Sequence, residues 1–200
     1  MPGLSRIQAG PGVVAVSILT VWNQVINAPL LAPLLEWQGL RILPGLNAIT
    51  GDEGTGKTRL LRALAQASPD ALWLDLRLPE HDQQTPEAVW SGLQARCPHW
   101  NAALQADLAE ALQLNDHLGK RLNMLSTGSR RKVGLVGLMA SGVRFTCIDQ
   151  PCVALDAPSV RVIRGFLQDM ADHPSRAWLI ADYEADPQLA WASTTELFRQ

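Results

Sequence analysis

One octapeptide limits what this chain can fold into more than any other feature. Gly51, Asp52, Glu53, Gly54, Thr55, Gly56, Lys57 and Thr58 fit the pattern G-x-x-x-x-G-K-[ST]. The apolar run Leu46 to Thr50 precedes it and predicts a short buried strand. Leu60, Leu61, Leu64 and Ala65 follow at helical spacing and predict a helix over Thr58 to Ala67. Glycines let a backbone wrap around a phosphate with its N–H groups pointing inward, and a helix start adds partial positive charge. Lys57 is placed to reach the β- and γ-phosphates, and Thr58 to offer its hydroxyl to Mg²⁺. The loop therefore predicts nucleotide binding. Kinases, GTPases and ATPases all use it, so it leaves the reaction open. Asp52 and Glu53 are unusual in a loop that receives a polyanion, and they are expected to point outward.

Composition removes several alternatives. The chain has 200 residues and a formal charge of −2, so no basic field supports a nucleic-acid partner. Hydrophobic residues make up 47% and charged residues 18%, which argues for a packed domain over a disordered chain. Cys97, Cys147 and Cys152 are too few for a disulfide framework, and His81, His99, His117 and His173 show no metal-ligand spacing. Cys147 and Cys152 read as small buried apolar residues. The apolar stretch Gly12 to Trp22 contains Ser17 and Thr20 and is too short to span a membrane; it reads as a strand and not as a signal peptide.

The remaining pattern is α/β. Val13 to Val21 predicts a strand, Asn27 to Pro33 a connection, and Leu34 to Leu43 a second strand ended by the Pro44-Gly45 turn. Ala71 to Leu76 predicts a strand and Pro86 to Leu118 a helical stretch. Ser126 is a candidate cap for a helix to about Ala140. Phe145 to Asp149 predicts a strand, Val160 to Met170 a helix, Ala177 to Ala181 a strand, and Glu196 to Phe198 a last short one. The expected fold is a single α/β domain over residues 1–200, a P-loop NTPase core with an N-terminal β-rich part and a helical insert over about 86–141.

Two further segments narrow the class. Leu125-Ser126-Thr127-Gly128-Ser129 opens the predicted helix, followed by Arg130, Arg131 and Lys132. Asp149 ends an apolar strand and leads into Gln150-Pro151-Cys152-Val153-Ala154-Leu155-Asp156. With the phosphate loop, these elements in this order resemble the ATP-binding cassette (ABC) ATPases, from about Leu34 to the C-terminus. The Leu-Ser-x-Gly helix and the Pro-x-x-Ala-Leu-Asp run further resemble the small ATP-binding subunit of the bacterial haem exporter of cytochrome c maturation. The resemblance implies ATP and Mg²⁺ as ligands, with Asp149 holding the metal alongside Thr58. It implies that Ser126 and Gly128 face the γ-phosphate of ATP bound on a second cassette, closed head to tail, and that Asp156 crosses that interface. The solvated basic turn is the expected reading of Arg130, Arg131 and Lys132.

Several positions depart from the family pattern. Gln150 stands where the family has a general-base Glu; an amide accepts no proton but can position a water. Tyr183 stands near the place of the family's γ-phosphate-sensing His. Arg59 follows Thr58 where a hydroxyl is usual, and is counted among the nucleotide-binding residues. Gln83 and Gln84 fall several residues late for the family's glutamine after the Ala71 strand. Trp22 and Trp37 are the nearest aromatics upstream of the loop, and a core or surface role suits both better than stacking on adenine. The expected function is Mg-ATP binding and hydrolysis, slowed by Gln150, that powers a transporter. The expected partners are a second cassette and an integral membrane subunit docked on the helical insert; Trp90 and Trp100 are candidate contacts there, but buried packing suits both better. The expected location is the cytoplasmic face of the cell membrane. The alternative is an ATP-gated clamp with little hydrolysis.

Overall fold

Gly45–Thr50 (β3) is buried along its whole length, so both of its faces meet protein and its sequence runs apolar without alternation. The computed structural model of the protein describes residues 33–37 and 40–199. The strand expected at Val13 to Val21, the connection starting at Asn27 and Trp22 lie outside the described residues. Leu34 to Leu43, expected as one strand, is two: Leu35–Trp37 (β1) and Leu40–Ile42 (β2) pair antiparallel. The apolar residues of the two strands lie out of phase in the sequence, Leu35 and Trp37 against Leu40 and Ile42, a shift that the single-strand expectation passed over.

After β3 come Lys57–Ala67 (α1), Ala71–Trp73 (β4), Pro86–Gln94 (α2) and Ala102–Ala111 (α3), then Thr127–Ala140 (α4) and Phe145–Asp149 (β5). Ala157–Met170 (α5), Ala177–Ala181 (β6) and Trp191–Glu196 (β7) complete the chain. The expected last strand, Glu196 to Phe198, is displaced: β7 spans the polar, half-exposed segment before it, as an edge strand permits. The helical stretch from Pro86 divides into α2 and α3, capped by Thr85 and Asn101, followed by one-turn 3₁₀ segments at Asn115–His117 and Leu122–Met124.

β3 to β7 form one parallel sheet in the order β4-β5-β6-β3-β7. Strand alternation sorts its side chains. Trp178, Ile180 and Ile148 face α4 and α5, while Leu179, Cys147 and Ile49 face Leu61 and Leu64 of α1. Asn47 sits inside this core with every polar atom engaged. Its amide donates to Leu43 O at 2.8 Å and Gly45 O at 3.2 Å; its oxygen accepts from Leu43 N at 2.9 Å and Ser193 Oγ at 2.7 Å. One buried polar residue thus locks the turn into β3 to the edge strand β7.

The helix α4 is buried from Lys132 to Ala140. Gly137 lets it approach α2: a methyl there would lie 2.6 Å from Leu93 Cδ1. Trp90 is core, as expected, with its indole N–H on Val133 O at 3.0 Å. No helix among the described residues is long and apolar enough to cross a membrane.

Candidate functional site

All five strands of the parallel sheet point the same way, so the ends of β3, β5 and β6 open onto one edge, where ligands of such sheets bind. Ile49, Ala181 and Asp149 share one level across three strands. Backbone bonds continue past it: Asp182 N to Ile49 O at 3.1 Å, Gln150 N to Ala181 O at 2.7 Å, and Gly51 N to Tyr183 O at 3.3 Å. These bonds draw the phosphate loop, the Asp149 turn and Tyr183 together, although the three segments are far apart in sequence.

The phosphate loop needs its glycines. Gly51, Gly54 and Gly56 have φ of 139°, 78° and 95°, a region that side chains disfavour. Gly51 also packs so closely on Leu197 O that a Cβ has no room. Gly56 starts α1 in the left-handed conformation and offers no side-chain cap. The other four described α-helices are capped by Thr85, Asn101, Ser126 and Asp156. Only α1, among them, therefore leaves its first N–H groups for an outside acceptor.

The side chains fit a magnesium-bound nucleotide. Lys57 is buried and folds back over the loop, donating to Gly51 O at 2.5 Å and Asp52 O at 2.8 Å. Its ammonium also sits 5.0 Å from the centre of the Tyr183 ring. The Thr58 hydroxyl donates to Asp149 Oδ2 at 2.6 Å. A hydroxyl and a carboxylate oxygen so close form a hard oxygen pair suited to Mg²⁺. Thr55 Oγ1 donates to Asp52 O at 2.9 Å and closes the loop. Asp52, Glu53 and Arg59 are exposed, which agrees with the expectation that the two acids avoid the phosphate position. Arg199 donates to Glu53 O at 2.8 Å and braces the loop from outside.

The second half of the site is joined to the first through the residues after Ser126. Ser126 caps α4, its Oγ accepting from Ser129 N at 3.0 Å. A Cβ on Gly128 would lie 2.6 Å from Ala154 O, so only glycine permits this approach of α4 to the Asp149–Asp156 loop. Ala154 and Gln150 both take positive φ, at 60° and 47°. The expected solvated basic turn is wrong. Arg131 donates to the carbonyls of Asp149 and Gln150, and burial holds its pKa below the usual arginine value. Arg130 binds Leu76 O and Leu78 O and pairs with Asp82 at 2.7 Å. Lys132 is buried and binds Asp156 at 2.8 Å. Helical position alone gave no sign of these partners, because each lies 18 or more residues away. Asp156 is engaged within its own chain. It caps α5 through Ser159 N at 2.8 Å, and the hydrogen bond from Lys132 holds its carboxyl well below the usual range.

The glutamine sought after β4 is not at the site: Gln84 contacts His81 at 3.0 Å, and its carbonyl accepts from Leu122 N. A cavity of about 100 Å³ beside Asp149 is lined instead by Asp75, Arg77 and Arg131, with Leu135 and Leu138 behind. The sequence reading missed Asp75 and Arg77, and their two-residue spacing carries no recognised motif. Cys147 is fully buried, its thiol pushed up to about 12 by burial, as expected of an apolar filler. Trp22 lies outside the described residues, and Trp37 belongs to β1.

Comparisons with known proteins agree with this geometry. No protein-family model matches the chain. The cytochrome c biogenesis ATP-binding export protein CcmA of Paracoccus denitrificans is 30% identical over 151 residues, 65% of this chain and 70% of that protein. CcmA of Escherichia coli K12 is 30% identical over 151 residues, 66% of this chain and 72% of that protein. Among solved structures, a putative ABC transporter ATP-binding protein from Pyrococcus furiosus superposes with a TM-score of 0.61 at 17% identity, covering 84% of this chain and 95% of that one. A putative cobalt transport ATP-binding protein gives 0.58 at 20% identity, over 74% of this chain and 66% of that one. With the phosphate loop, the Ser126 helix and the Asp149 strand end assembled on one sheet edge, the chain belongs to the ATP-binding cassette ATPases and resembles CcmA among them.

Proposed function

We propose that the protein binds Mg-ATP in the loop from Gly51 to Thr58, closes head to tail on a second cassette, and hydrolyses the nucleotide to drive a membrane transporter. The observation that carries this reading is the contact of Thr58 with Asp149 at 2.6 Å, beside the uncapped start of α1. When bound, Mg²⁺ supplies positive charge that neutralises the phosphates and polarises the γ-phosphoryl group. The chain's own residues then divide the work. Thr58 and Asp149 would hold the metal. Lys57 exchanges its two carbonyl acceptors for phosphate oxygens, and Arg59 lies at the next position along the helix. Gln150 positions the attacking water without removing its proton, and Tyr183 offers a neutral hydroxyl beside Lys57. Ser126 and Gly128 face the nucleotide of the partner cassette.

The exposed apolar residues support a partner at this edge. Met124, Val153, Tyr183 and Phe198 are the large hydrophobic side chains that stand exposed among the described residues. Met124 precedes Ser126, Val153 lies in the Gln150–Asp156 loop, Tyr183 touches Lys57, and Phe198 adjoins Arg199 on the phosphate loop. All four belong to the segments of the candidate site, as a second cassette pressed over the nucleotide requires. Likeness to CcmA favours export in cytochrome c biogenesis as the process served, with the chain peripheral on the inner face of the cell membrane through an integral membrane subunit.

Gln150 favours a second reading, an ATP-gated clamp that binding closes and slow hydrolysis resets. One experiment separates the two. Light scattering on a sizing column and phosphate release are measured together, with Mg-ATP, on the protein and on Gln150→Ala. A transporter motor forms an ATP-dependent dimer and releases phosphate, and Gln150→Ala slows it. A clamp forms the dimer with negligible release. Failure to bind ATP, or ordinary turnover that Gln150→Ala leaves unchanged, refutes the assignments.

A further inference from the structure

The cavity beside Asp149 contains a cation with unused hydrogen-bonding capacity. Arg131, on one wall, is committed to the carbonyls of Asp149 and Gln150. Arg77 is not. Its Nε and Nη2 donate to the two oxygens of Asp75 at 2.8 and 2.9 Å, and its backbone N–H donates to Asp75 Oδ1 at 3.0 Å. The Asp75 side chain is only 17% exposed, so the guanidinium rests on a fixed base, while Arg77 itself is 58% exposed at the cavity mouth. A guanidinium is a rigid planar fork. Asp75 occupies one edge. The opposite edge, Nη1 with the remaining hydrogen of Nη2, meets no protein acceptor among the described residues.

We propose that Arg77 is the residue by which this site recognises the γ-phosphate of a bound nucleoside triphosphate, and that Asp75 positions it. The inference rests on the nucleotide site proposed above. Arg77 and Asp149 line the same cavity, and Asp149 is one of the two residues assigned to the metal that must lie against that phosphate. A magnesium-bound triphosphate remains anionic, so cations beyond Lys57 are called for. Tyr183 carries no cationic group, and Arg131 is turned onto the carbonyls of Asp149 and Gln150 through Nη2 with its Nε buried. Of the arginines lining the cavity, Arg77 presents an exposed bidentate edge, whereas the unpaired Nε of Arg131 is buried away from any ligand and Arg130 is engaged by Leu76, Leu78 and Asp82. The hydrogen bond to Asp75 first, and the Asp149 charge to a lesser degree, hold the guanidinium above its ordinary pKa, as expected where carboxylates face it.

The test compares affinities and does not depend on turnover. Titration calorimetry with Mg²⁺ measures a non-hydrolysable ATP analogue and ADP on the unmodified protein, Arg77→Ala, Arg77→Lys and Asp75→Asn. Arg77→Ala is expected to lose about tenfold in affinity for the analogue, as for a charge-assisted bidentate contact, and to bind ADP as before. Arg77→Lys is expected to recover part of the loss, because it restores the charge without the fork. Asp75→Asn is expected to weaken analogue binding with ADP unchanged. If Arg77→Ala keeps the melting temperature of the unmodified protein and the same analogue-to-ADP ratio, the inference is wrong, and Arg77 is a surface ion pair only. Equal weakening of both nucleotides also overturns it. If the unmodified protein binds neither nucleotide, the proposed nucleotide site itself fails, a result distinct from an unaltered ratio.

Discussion

Replacing Gln150 by Glu asks whether the missing base is what limits this cassette. The substitution changes one amide to a carboxylate at nearly constant shape. Gln150 is held by its backbone, through its N–H on Ala181 O at 2.7 Å and its carbonyl under Arg131, so the exchange leaves its anchors intact. Its φ of 47° costs Glu and Gln alike. The new carboxylate stands next to Asp149, which opposes ionisation, and near Arg131, which favours it. Base assistance is commonly worth about 10²–10⁴-fold in rate, or about 3–5 kcal/mol of barrier. Phosphate release with saturating Mg-ATP is therefore expected to rise by at least about a hundredfold in Gln150→Glu, with ATP affinity changed by less than about threefold. Affinity is measured in parallel with a fluorescent ATP analogue. Unchanged release with intact binding would refute the reasoning, because another group would then be activating the water. Loss of binding would equally refute the claim that Gln150 is held by its backbone alone.

Three other outcomes follow from the same geometry. Gly128→Ala places a methyl 2.6 Å from Ala154 O; the clash outweighs the helix-propensity gain by about 1–2 kcal/mol, and calorimetry is expected to show a melting temperature lower by about 2–8 °C. Asp156 has its folded pKa depressed, first by the Lys132 hydrogen bond and then by Ser159. Its contribution is therefore full above the unfolded value of about 4 and fades as pH falls below it. Asp156→Asn is expected to melt lower than the unmodified protein at pH 7, and the gap is expected to begin closing near pH 4 and to close only as pH falls through the depressed folded value. Melting curves that stay parallel across that window would contradict the pairing. Cys147, with its thiol pushed up to about 12 inside the core, is expected to resist a thiol reagent in the native protein while the half-buried Cys152 reacts first, as peptide mapping would show.

The sequence displayed those parts of the site whose chemistry is local. Gly51 to Thr58 must be written as it is because left-handed glycines, a lysine and a hydroxyl act within one loop. Ser126 caps its own helix, and Asp149 ends its own strand. The fold class was legible for a similar reason, since each buried strand and amphipathic helix carries its period in contiguous residues. Elements with weak local signals were misread: within Leu34 to Leu43 only a change of phase between Trp37 and Leu40 separates the two strands, and β7 is a half-exposed edge.

Tertiary structure alone decided how these parts meet. A parallel sheet with β6 between β3 and β5 brings Thr58 within 2.6 Å of Asp149, 91 positions away. It turns Arg130, Arg131 and Lys132 from an expected wet surface into ties between α4 and two loops, and it brings the local Arg77–Asp75 pair to the cavity beside Asp149. Residue type and spacing determine which groups a segment can offer. Which acceptor Arg130, Arg131 and Lys132 reach depends on contacts between distant segments, which no local spacing encodes.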